Sequence, residues 1–444
     1  MAKQILQDRP VGVRCRQRAP ALWLAVLLIA AVGCSAEPAD EGANANQNVE
    51  AVVQSQGDPV GKADDAAPPT VTLSPPELLT REQIEAGWIS LFDGQTLFGW
   101  EANSNVNWSV VDGEIRADKG EPGLLLTTAP FADFELRCDF WFEAGGNSGV
   151  FLRTLFDPSD PARDCYELNI CDSHPQFPTG SLVGRAKVSS PIEAEGSWKS
   201  YYVRAEGNRI EAQLDGETIL EFEDDTDAIR AVGFIGLQKN SGAVAFRNVL
   251  VRPLGLQSVF NGTDLAGWRQ VPGSQSNFEV TGGSIRVTDG PGFLETEQVW
   301  DDFILQADVR VNGKRLNSGI FFRAMPGTQD APSNGYEFQI QNGFENGDRT
   351  QPADAGTGAI FRRAAARYVV PNDEEWFTIT LAAHGSRLSS WVNGYPVVDW
   401  EDTREPNENP RRGLRLDAGH ISLQGHDPTT DLQFKNLRLA PIRR

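Results

Sequence analysis

The sequence predicts an all-β protein built from two tandem concanavalin A-like jelly-roll β-sandwich domains, and three observations support this fold class. A series of motifs occurs twice in the same order along the 444 residues. Segments that alternate between polar and apolar residues recur in both copies, as expected of half-buried strands. Turn-forming dipeptides separate these segments in a chain that contains 43 glycines and 27 prolines.

The repeat itself is the strongest of these signals. The paired segments are 92–100 with 260–268, 147–153 with 317–323, 166–170 with 336–340, 179–180 with 357–358, 236–238 with 422–424, and 246–248 with 434–436. Each copy is long enough to hold its own core, which indicates a domain duplication rather than a solenoid. We therefore place the first domain at residues 81–254 and the second at residues 255–444.

Strands and turns can be located within each copy. Residues 134–142 and 303–311 show the clearest alternation, and a short helix is expected near residues 81–87. Four dipeptides are typical of two-residue hairpin turns: Asp112-Gly113, Asp215-Gly216, Gly282-Gly283 and Asn393-Gly394.

The N-terminus resembles an export signal. A basic stretch precedes an apolar run at residues 21–32, which is shorter than the roughly 20 residues needed to cross a bilayer. The run ends in Ala-Val-Gly-Cys34, similar to the lipobox of bacterial lipoproteins, although an ordinary cleaved secretory signal is the alternative. We expect residues 1–33 to be a signal peptide and Cys34 to carry lipid. The protein would then sit in the cell envelope, at the outer membrane or the periplasmic face, held by a lipid anchor only.

Residues 34–80 and the overall charge restrict the function further. The segment 34–80 is rich in Ala, Asp, Glu, Asn, Gln and Pro, a composition that predicts a disordered tether. The net charge of −21 argues against nucleic acid as a partner, whereas neutral sugars are compatible with it. A divalent cation such as calcium is also compatible, but no EF-hand-like loop and no zinc-binding cysteine spacing occurs. The sequence does not indicate an oligomeric state.

The cysteines that remain after Cys34 all lie in the first copy. Cys165 and Cys171 flank one predicted strand and are too far apart along it to form a disulfide. A bond from Cys138 to either of them, across neighbouring strands, is left open.

Polar residues within the apolar strand 166–170 and its counterpart are the best candidates for a binding site. The period of two places Glu167 with Asn169, and Glu337 with Gln339, on one face of a sheet. The concave face of such a sandwich is a usual location for a sugar site. Arg153 and Arg323 end the Asn-Ser-Gly segments and could form Arg–Glu clamps with Glu167 and Glu337. The alternative of equal weight is that these pairs are internal salt bridges.

Other candidates carry two interpretations each. His174 and His426 lie in loops near the polar strands, where an acid–base role competes with a purely structural one. Trp100 and Trp268 are better explained as core residues than as platforms that stack on sugar rings. Asn147 and Asn317 are better explained as turn residues.

Together these motifs resemble the 3-keto-disaccharide hydrolase domain family, twice over almost everything after residue 85. The marks of the resemblance are the segment 88–100, Asn-Ser-Gly-hydrophobic-Phe-hydrophobic-Arg, Tyr-Glu-x-x-Ile, Thr-Gly, and a late Leu-Gln before Phe-Arg/Lys-Asn. The resemblance implies a concanavalin-like jelly roll and activity on glycosides oxidised at C3 of the sugar.

Residue roles follow from this resemblance. In the second copy, Glu337 would be the base or a metal ligand, Arg323 would stabilise the oxyanion, and His426 would be the acid. Gln339 and Gln424 would position the sugar. The first copy offers the residues Glu167, Arg153, Asn169, Gln238 and Asp172, with His174 as its nearest histidine.

The two copies depart from one another at the late Leu-Gln. The second copy has His426 shortly after it, whereas the first continues Lys239-Asn-Ser-Gly and has no histidine. We therefore expect the first copy either to use His174 in its place or to bind without catalysing. A non-catalytic, lectin-like surface lipoprotein is the alternative for the whole chain, since two linked weak sites gain avidity.

Overall fold

The computed structural model describes residues 77–442. The leader, Cys34 and most of the predicted tether lie outside these residues. The described part contains two β-sandwiches in tandem, which confirms the predicted all-β fold class. None of the helices in this part is long and apolar enough to cross a membrane.

The first sandwich follows a short helix, α1 (Arg81–Glu85). Its strands are β1 (Ile89–Ser90), β2 (Trp100–Ala102), β3 (Ser109–Val111), β4 (Glu114–Ala117), β5 (Gly123–Thr127), β6 (Phe134–Phe142), β7 (Asn147–Thr154), β8 (Tyr166–Ile170), β9 (Lys199–Glu206), β10 (Arg209–Leu214), β11 (Glu217–Glu223), β12 (Phe234–Ser241) and β13 (Val244–Pro253).

The second sandwich repeats this order and adds a small hairpin and a 3₁₀ turn (Ala353–Ala355). Its strands are β14 (Gln257–Ser258), β15 (Trp268–Gln270), β16 (Asn277–Thr281), β17 (Ser284–Thr288), β18 (Gly292–Trp300), β19 (Phe303–Val311), β20 (Ser318–Ala324), β21 (Tyr336–Ile340), β22 (Phe344–Glu345), β23 (Asp348–Pro352), β24 (Trp376–His384), β25 (Arg387–Val392), β26 (Tyr395–Glu401), β27 (Gly419–Gly425) and β28 (Asp431–Pro441).

Each sandwich consists of an eight-stranded and a five-stranded antiparallel sheet. The five-stranded sheets have the matching orders β2-β5-β12-β7-β8 and β15-β18-β27-β20-β21. In the first copy, Leu136 and Phe140 of the eight-stranded sheet pack against Val150 and Leu168 of the five-stranded sheet. The inward face of each five-stranded sheet therefore belongs to the core, and its outward face is left for function.

Local sequence signals account for most of the connections. The predicted strands 134–142 and 303–311 are β6 and β19. The four predicted hairpin dipeptides all have positive φ at both residues, as a type I′ turn requires: Asp112-Gly113, Asp215-Gly216, Gly282-Gly283 and Asn393-Gly394. Trp100 and Trp268 are core residues, and each indole donates to a backbone carbonyl nine residues earlier.

The disulfide left open by the sequence is not formed. Cys138, Cys165 and Cys171 are all free and buried. Cys138 lies in β6 of the eight-stranded sheet, whereas the other two flank β8 in the five-stranded sheet. Its side chain belongs to the core between the sheets, where it behaves as a small apolar residue.

The N-terminal segment of the described chain links the two sandwiches. Thr80 and Gln83 form a capping box that begins α1, close to the predicted helix. Strand β1 then pairs with β13 of the first copy. Ser90 of β1 donates its backbone N–H to Gly394 and accepts a hydrogen bond of 3.0 Å from the indole of Trp391, both in the second copy. Both copies therefore share buried contacts at this segment.

Candidate active site

The motif residues of the first copy meet on the outer face of its five-stranded sheet. Glu167 and Asn169 of β8 project from this face, as their alternation predicts. The antiparallel register places Phe151 beside Glu167, and Gly149 between Asn169 and Gln238. The face therefore carries a carboxylate, an aromatic ring and two amides from three adjacent strands.

The second copy has the same arrangement with a more polar edge. Phe321 lies between Glu337 of β21 and Ser422 of β27, and Gly319 lies beside Gln339. Gln424 faces Phe293 of β18. At the far edge, Glu295 is buried in an ion pair with Arg269. At the same register the first copy has Leu126 in place of Glu295 and Gly236 in place of Ser422, whereas Leu124 matches the apolar Phe293.

The Asn-Ser-Gly motif holds this face together. The hydroxyl groups of Ser148 and Ser318 donate to the backbone carbonyls of Gln238 and Gln424, respectively. The glycine that follows leaves room for the carboxylate. A Cβ atom on Gly319 would lie 3.0 Å from Oε1 of Glu337 and displace it.

Both candidate bases are buried carboxyl groups. Glu167 is 8% exposed and Glu337 is 6% exposed. Burial raises the pKa of Glu167 to about 7, and a hydrogen bond with Gln238 opposes the rise. Burial also raises the pKa of Glu337 to about 7, where Arg411 and His426 oppose the rise and Asp354 adds to it. A carboxyl group with such a pKa can exchange protons at neutral pH.

The predicted clamp between Arg153 and Glu167 is wrong, both as a ligand clamp and as an internal salt bridge. The buried guanidinium of Arg153 pairs with Asp133 at 2.8 Å and donates to the carbonyl of Gly207 at 2.6 Å. Asp133 directly precedes β6 and Gly207 lies in the turn between β9 and β10, so the side chain of Arg153 reaches from the five-stranded sheet to the strand ends of the eight-stranded sheet.

The second copy repeats this arrangement. Arg323 pairs with Asp302 at 2.9 Å and donates to the carbonyl of Gly385 at 2.7 Å, and the cation that contacts Glu337 is Arg411 instead. The reason is backbone geometry, because Arg153 and Arg323 have φ of 48° and 45° beside a β-bulge. A bulge of this kind breaks the alternation of side chains on which the prediction depended.

Three further first-copy candidates serve the backbone. Asp172 accepts hydrogen bonds from the Thr179 hydroxyl and from two backbone N–H groups, Ala194 and Glu195. His174 uses Nδ1 to accept the backbone N–H of Phe177 at 2.9 Å. Asn169 donates to the carbonyl of the same Phe177. These contacts order the loop after β8, and the substrate-binding roles of the three residues stay predictions.

The second copy gains a carboxylate from an inserted hairpin. Strands β22 and β23 lie between Ile340 and Thr357, where the first copy has a short turn. The insertion ends at Asp354, which accepts hydrogen bonds from Asn317 at 2.7 Å and from Gln339 at 3.0 Å. Asp354 has φ of 44°, a conformation that costs energy in a non-glycine residue. Asn317, predicted as a turn residue, thus helps to orient a charged group near Glu337.

A second insertion supplies a cation. The connection from β26 to β27 is longer than its counterpart between β11 and β12, and it carries Arg411. Nη2 of Arg411 lies 3.2 Å from Oε2 of Glu337, and the guanidinium lies 5.2 Å from the ring centre of Phe321. The carbonyl of Arg411 accepts a 2.6 Å hydrogen bond from Arg363. These contacts fix a positive charge beside the candidate base.

His426 is also placed near this base. Its Nδ1 lies 2.8 Å from Oδ2 of Asp427, and its charge acts on the pKa of Glu337. Since an ionised carboxylate only accepts, Asp427 selects the tautomer with hydrogen on Nδ1 and leaves Nε2 for proton exchange when the ring is neutral. The second copy therefore brings together five groups that surround one stretch of sheet: Glu337, Gln339, Asp354, Arg411 and His426.

The outer face of the second copy also carries polar atoms without partners. The buried atoms Gln339 Oε1, Gln424 Oε1 and Ser422 Oγ have no hydrogen-bond partner within the described residues. Buried polar atoms of this kind are normally satisfied, so they mark a surface suited to a hydroxyl-rich ligand. Among residues 77–442, no group of three or more His, Cys, Asp or Glu side chains is placed to hold a metal ion.

Comparison with known families finds the same duplication of the domain. The model of the 3-keto-alpha-glucoside-1,2-lyase-like domain matches residues 87–252 and again residues 255–440. The chain belongs to this family. Both matches contain the Asn-Ser-Gly segment, the Tyr-Glu strand and the late Leu-Gln of one lyase-like domain.

Individual relatives of these lyase-like domains were also found. The chain is 26% identical over 229 residues to the 3-keto-disaccharide hydrolase of Bacteroides thetaiotaomicron, an alignment that covers 38% of this chain and 79% of the relative. A structure from Parabacteroides distasonis, provisionally named a glycosyl hydrolase, is 22% identical with a TM-score of 0.36 and covers 40% of this chain and 98% of its own. The carbohydrate-binding module CBM66 of Bacillus subtilis is 20% identical, with a TM-score of 0.29. The match covers 35% of this chain and 95% of the module.

Sequence reasoning missed Asp354 and Arg411 in the second lyase-like domain. Neither residue belongs to a repeated motif, because both lie in loops that are longer than their counterparts in the first copy. The signal that could have found them is the length of these loops, which separate otherwise matched segments of the two copies.

Proposed function

We propose that the protein is an exported glycoside-processing enzyme that acts on 3-keto-glycosides by proton abstraction at C2 and elimination of the C1 substituent. The family and the name of the Bacteroides relative support a hydrolase of this type. The observation that carries the mechanism is Glu337, a buried carboxyl group with a pKa raised to about 7 beside Arg411. Export rests on the leader-like residues, which lie outside the described ones.

The ketone of such a substrate makes the chemistry accessible to a carboxylate. A carbonyl at C3 acidifies the C2 hydrogen, so Glu337 can remove this proton and leave an enediolate across C2 and C3. The negative charge then moves from the carboxylate to the substrate oxygen, and Arg411 can stabilise it in both positions. Arg411 thus takes the role that the sequence suggested for Arg323.

Elimination completes the reaction. The enediolate electrons form the C1–C2 double bond, the C3 carbonyl returns, and the C1–O bond breaks. His426 donates a proton to the departing oxygen, a role that suits an imidazole near neutral pH. Addition of water at C1 gives net hydrolysis. The amide oxygens of Gln339 and Gln424, which have no partner in the part of the chain that the structure describes, can accept hydrogen bonds from sugar hydroxyls.

Paired substitutions test this assignment. We expect Glu337→Gln to lower kcat/KM for a 3-keto disaccharide by at least about a hundredfold, the usual contribution of a general base. Glu167→Gln, its match in the first copy, should cost less than about tenfold. The measurement is release of the two products by chromatography, with the unoxidised disaccharide as substrate control. Full activity in both variants would remove both glutamates from the mechanism.

For the first copy, binding without catalysis is the second candidate function. Its outer face has a cavity of about 350 Å³ lined by Glu167, Gln238, Phe151 and Leu124. Within the described residues, no arginine forms an ion pair with Glu167 as Arg411 does with Glu337, and no histidine follows its late Leu-Gln. This copy has a place for a sugar ring but lacks the cation and the acid of the second copy.

A further inference from the structure

The first copy keeps a buried carboxylate that has no counter-ion among residues 77–442. Glu167 is 8% exposed and lines the cavity of about 350 Å³. Across residues 77–442, no Lys, Arg or His side chain forms an ion pair with it. Its side-chain partner is the neutral amide of Gln238. A neutral amide does not balance the charge of an ionised carboxylate, so a cationic group of a ligand could serve as the ionic partner of Glu167.

Two arginines that act on Cys165 in the lining of this cavity are engaged elsewhere. Arg185 and Arg230 influence the neighbouring thiol of Cys165. Arg185 forms a buried ion pair of 2.6 Å with Asp224. Arg230 donates to the backbone carbonyl of Arg153 at 2.6 Å. Neither arginine is available to neutralise Glu167 without breaking these bonds.

In the second copy, a side chain of the protein itself occupies the position beside the buried glutamate. There the guanidinium of Arg411 lies 5.2 Å from the ring centre of Phe321 and 3.2 Å from the carboxylate of Glu337. Phe151 and Glu167 form the same cross-strand pair in the first copy. The position that Arg411 occupies in the second copy is therefore an open cavity in the first copy, beside the matching ring and carboxylate.

We propose that the first copy binds an amino sugar, with the ammonium group of the ligand placed between Phe151 and Glu167. The sugar part of the ligand rests on the proposed function, whereas the ammonium part rests on the comparison of the two copies. The ammonium gains a charge-assisted hydrogen bond from the carboxylate and a cation–π contact from the ring.

The rest of the cavity fits this ligand. Its volume of about 350 Å³ is at the lower end of the range for small-molecule sites and suits one sugar ring. Pro158, Pro161 and Leu124 provide apolar walls. The buried Oε1 of Gln238 has no partner within the described residues and can accept from a hydroxyl or from the ammonium. The net charge of −21 raises the local concentration of a cationic ligand.

Calorimetric titration of the whole protein tests the proposal. The probes are the methyl glycosides of glucosamine and of 6-amino-6-deoxyglucose, their N-acetyl derivatives, and methyl glucoside. At about pH 7, the pKa of about 7 leaves an appreciable fraction of Glu167 ionised, and both amino groups, including the 2-amino group with a pKa lowered by its neighbouring oxygens, keep most of their charge. We expect at least one amino glycoside to bind roughly tenfold tighter than its N-acetyl form and than methyl glucoside.

Substitutions locate this preference. Glu167→Gln should remove it, and Glu337→Gln, the matched change in the second copy, should leave it in place. If the unchanged protein binds the charged and the neutral glycosides with equal affinity, the inference is wrong, and no variant is needed to show this. A preference that survives Glu167→Gln also overturns it, as does binding of no glycoside at all. Loss of turnover on 3-keto disaccharides would instead count against the proposed function and leave the amine preference intact.

Discussion

The buried carboxyl groups of Glu167 and Glu337 make stability depend on pH. Both have a pKa raised from 4.5 to about 7 in the folded protein. Between these values the folded state binds more protons than the unfolded state. These two groups therefore stabilise the fold fully below about pH 4.5, and their contribution is lost as the pH rises through about 7. Carboxylates with lowered pKa values, such as Asp402, act in the opposite direction at lower pH.

Glutamine substitutions separate this effect from the rest of the titration. We expect Glu167→Gln and Glu337→Gln each to remove about half of the decrease in unfolding free energy that these groups cause between pH 4.5 and 7. The measurement is urea denaturation at a series of pH values in this window. Parallel curves for the variants and the unchanged protein would show that the two carboxyl groups titrate normally.

Single residues also show where prediction from sequence succeeds and fails. Strict alternation correctly placed Glu167 with Asn169 and Glu337 with Gln339, because a regular strand has a fixed period. The same rule placed Arg153 on the wrong face, because a residue with positive φ at a bulge reverses the alternation of side chains between the two faces of the sheet. A pattern of polar and apolar residues does not reveal such a bulge. Because arginine is usually exposed, its polarity alone predicts an outward position.

At the scale of elements, the loops after the matched strands distinguish the copies. Arg185 and Arg363 occupy equivalent positions in a turn that both copies share. Arg185 is buried against Asp224. In the second copy the corresponding aspartate is paired with Arg404 instead, at 2.7 Å. Arg363 is thereby released to bond the carbonyl of Arg411.

This exchange of partners predicts different outcomes for two matched substitutions. Arg185→Ala should lower the unfolding free energy by roughly 3–5 kcal/mol, because it leaves a buried carboxylate without its cation. Arg363→Ala should change stability little and lower kcat on a 3-keto disaccharide about tenfold, because the loop that holds Arg411 loses a hydrogen bond. Arg363→Lys can still donate to the carbonyl and should restore most of the activity. A stability loss for Arg363→Ala as large as that for Arg185→Ala would contradict this division.

The regular elements were more predictable than these loops. Strands 134–142 and 303–311 and the four type I′ turns follow from alternation and from residues that tolerate positive φ. The hairpin β22–β23 and the inserted part of the loop that carries Arg411 have no hydrophobic period and no matching residues in the first copy. Their positions depend on tertiary contacts such as the Arg363 hydrogen bond, which a single sequence does not display.

At the scale of the whole molecule, duplication has produced two similar scaffolds with different chemistry. The core, the Ser and Gly of Asn-Ser-Gly, and the buried glutamate are common to both copies. The charged groups around the glutamate are not, because Asp354, Arg411 and His426 occur in the second copy only. One copy that holds a sugar and one that transforms it would gain from being joined, since linkage raises the effective concentration of substrate near the second site.

Such a pair of sites is most useful where glycosides arrive from outside the cell, which makes the proposed lipid anchor testable as part of the function. The apolar run at residues 21–32 is too short to span a membrane by itself, so attachment would depend on acylation of Cys34. We expect Cys34→Ser to move the protein from the membrane fraction to the soluble periplasmic fraction while kcat/KM on a 3-keto disaccharide stays unchanged. Cys15→Ser, which alters a cysteine of the predicted signal peptide, is the matched control. Fractionation with immunoblotting decides the question, and membrane association that persists in Cys34→Ser would refute the anchor.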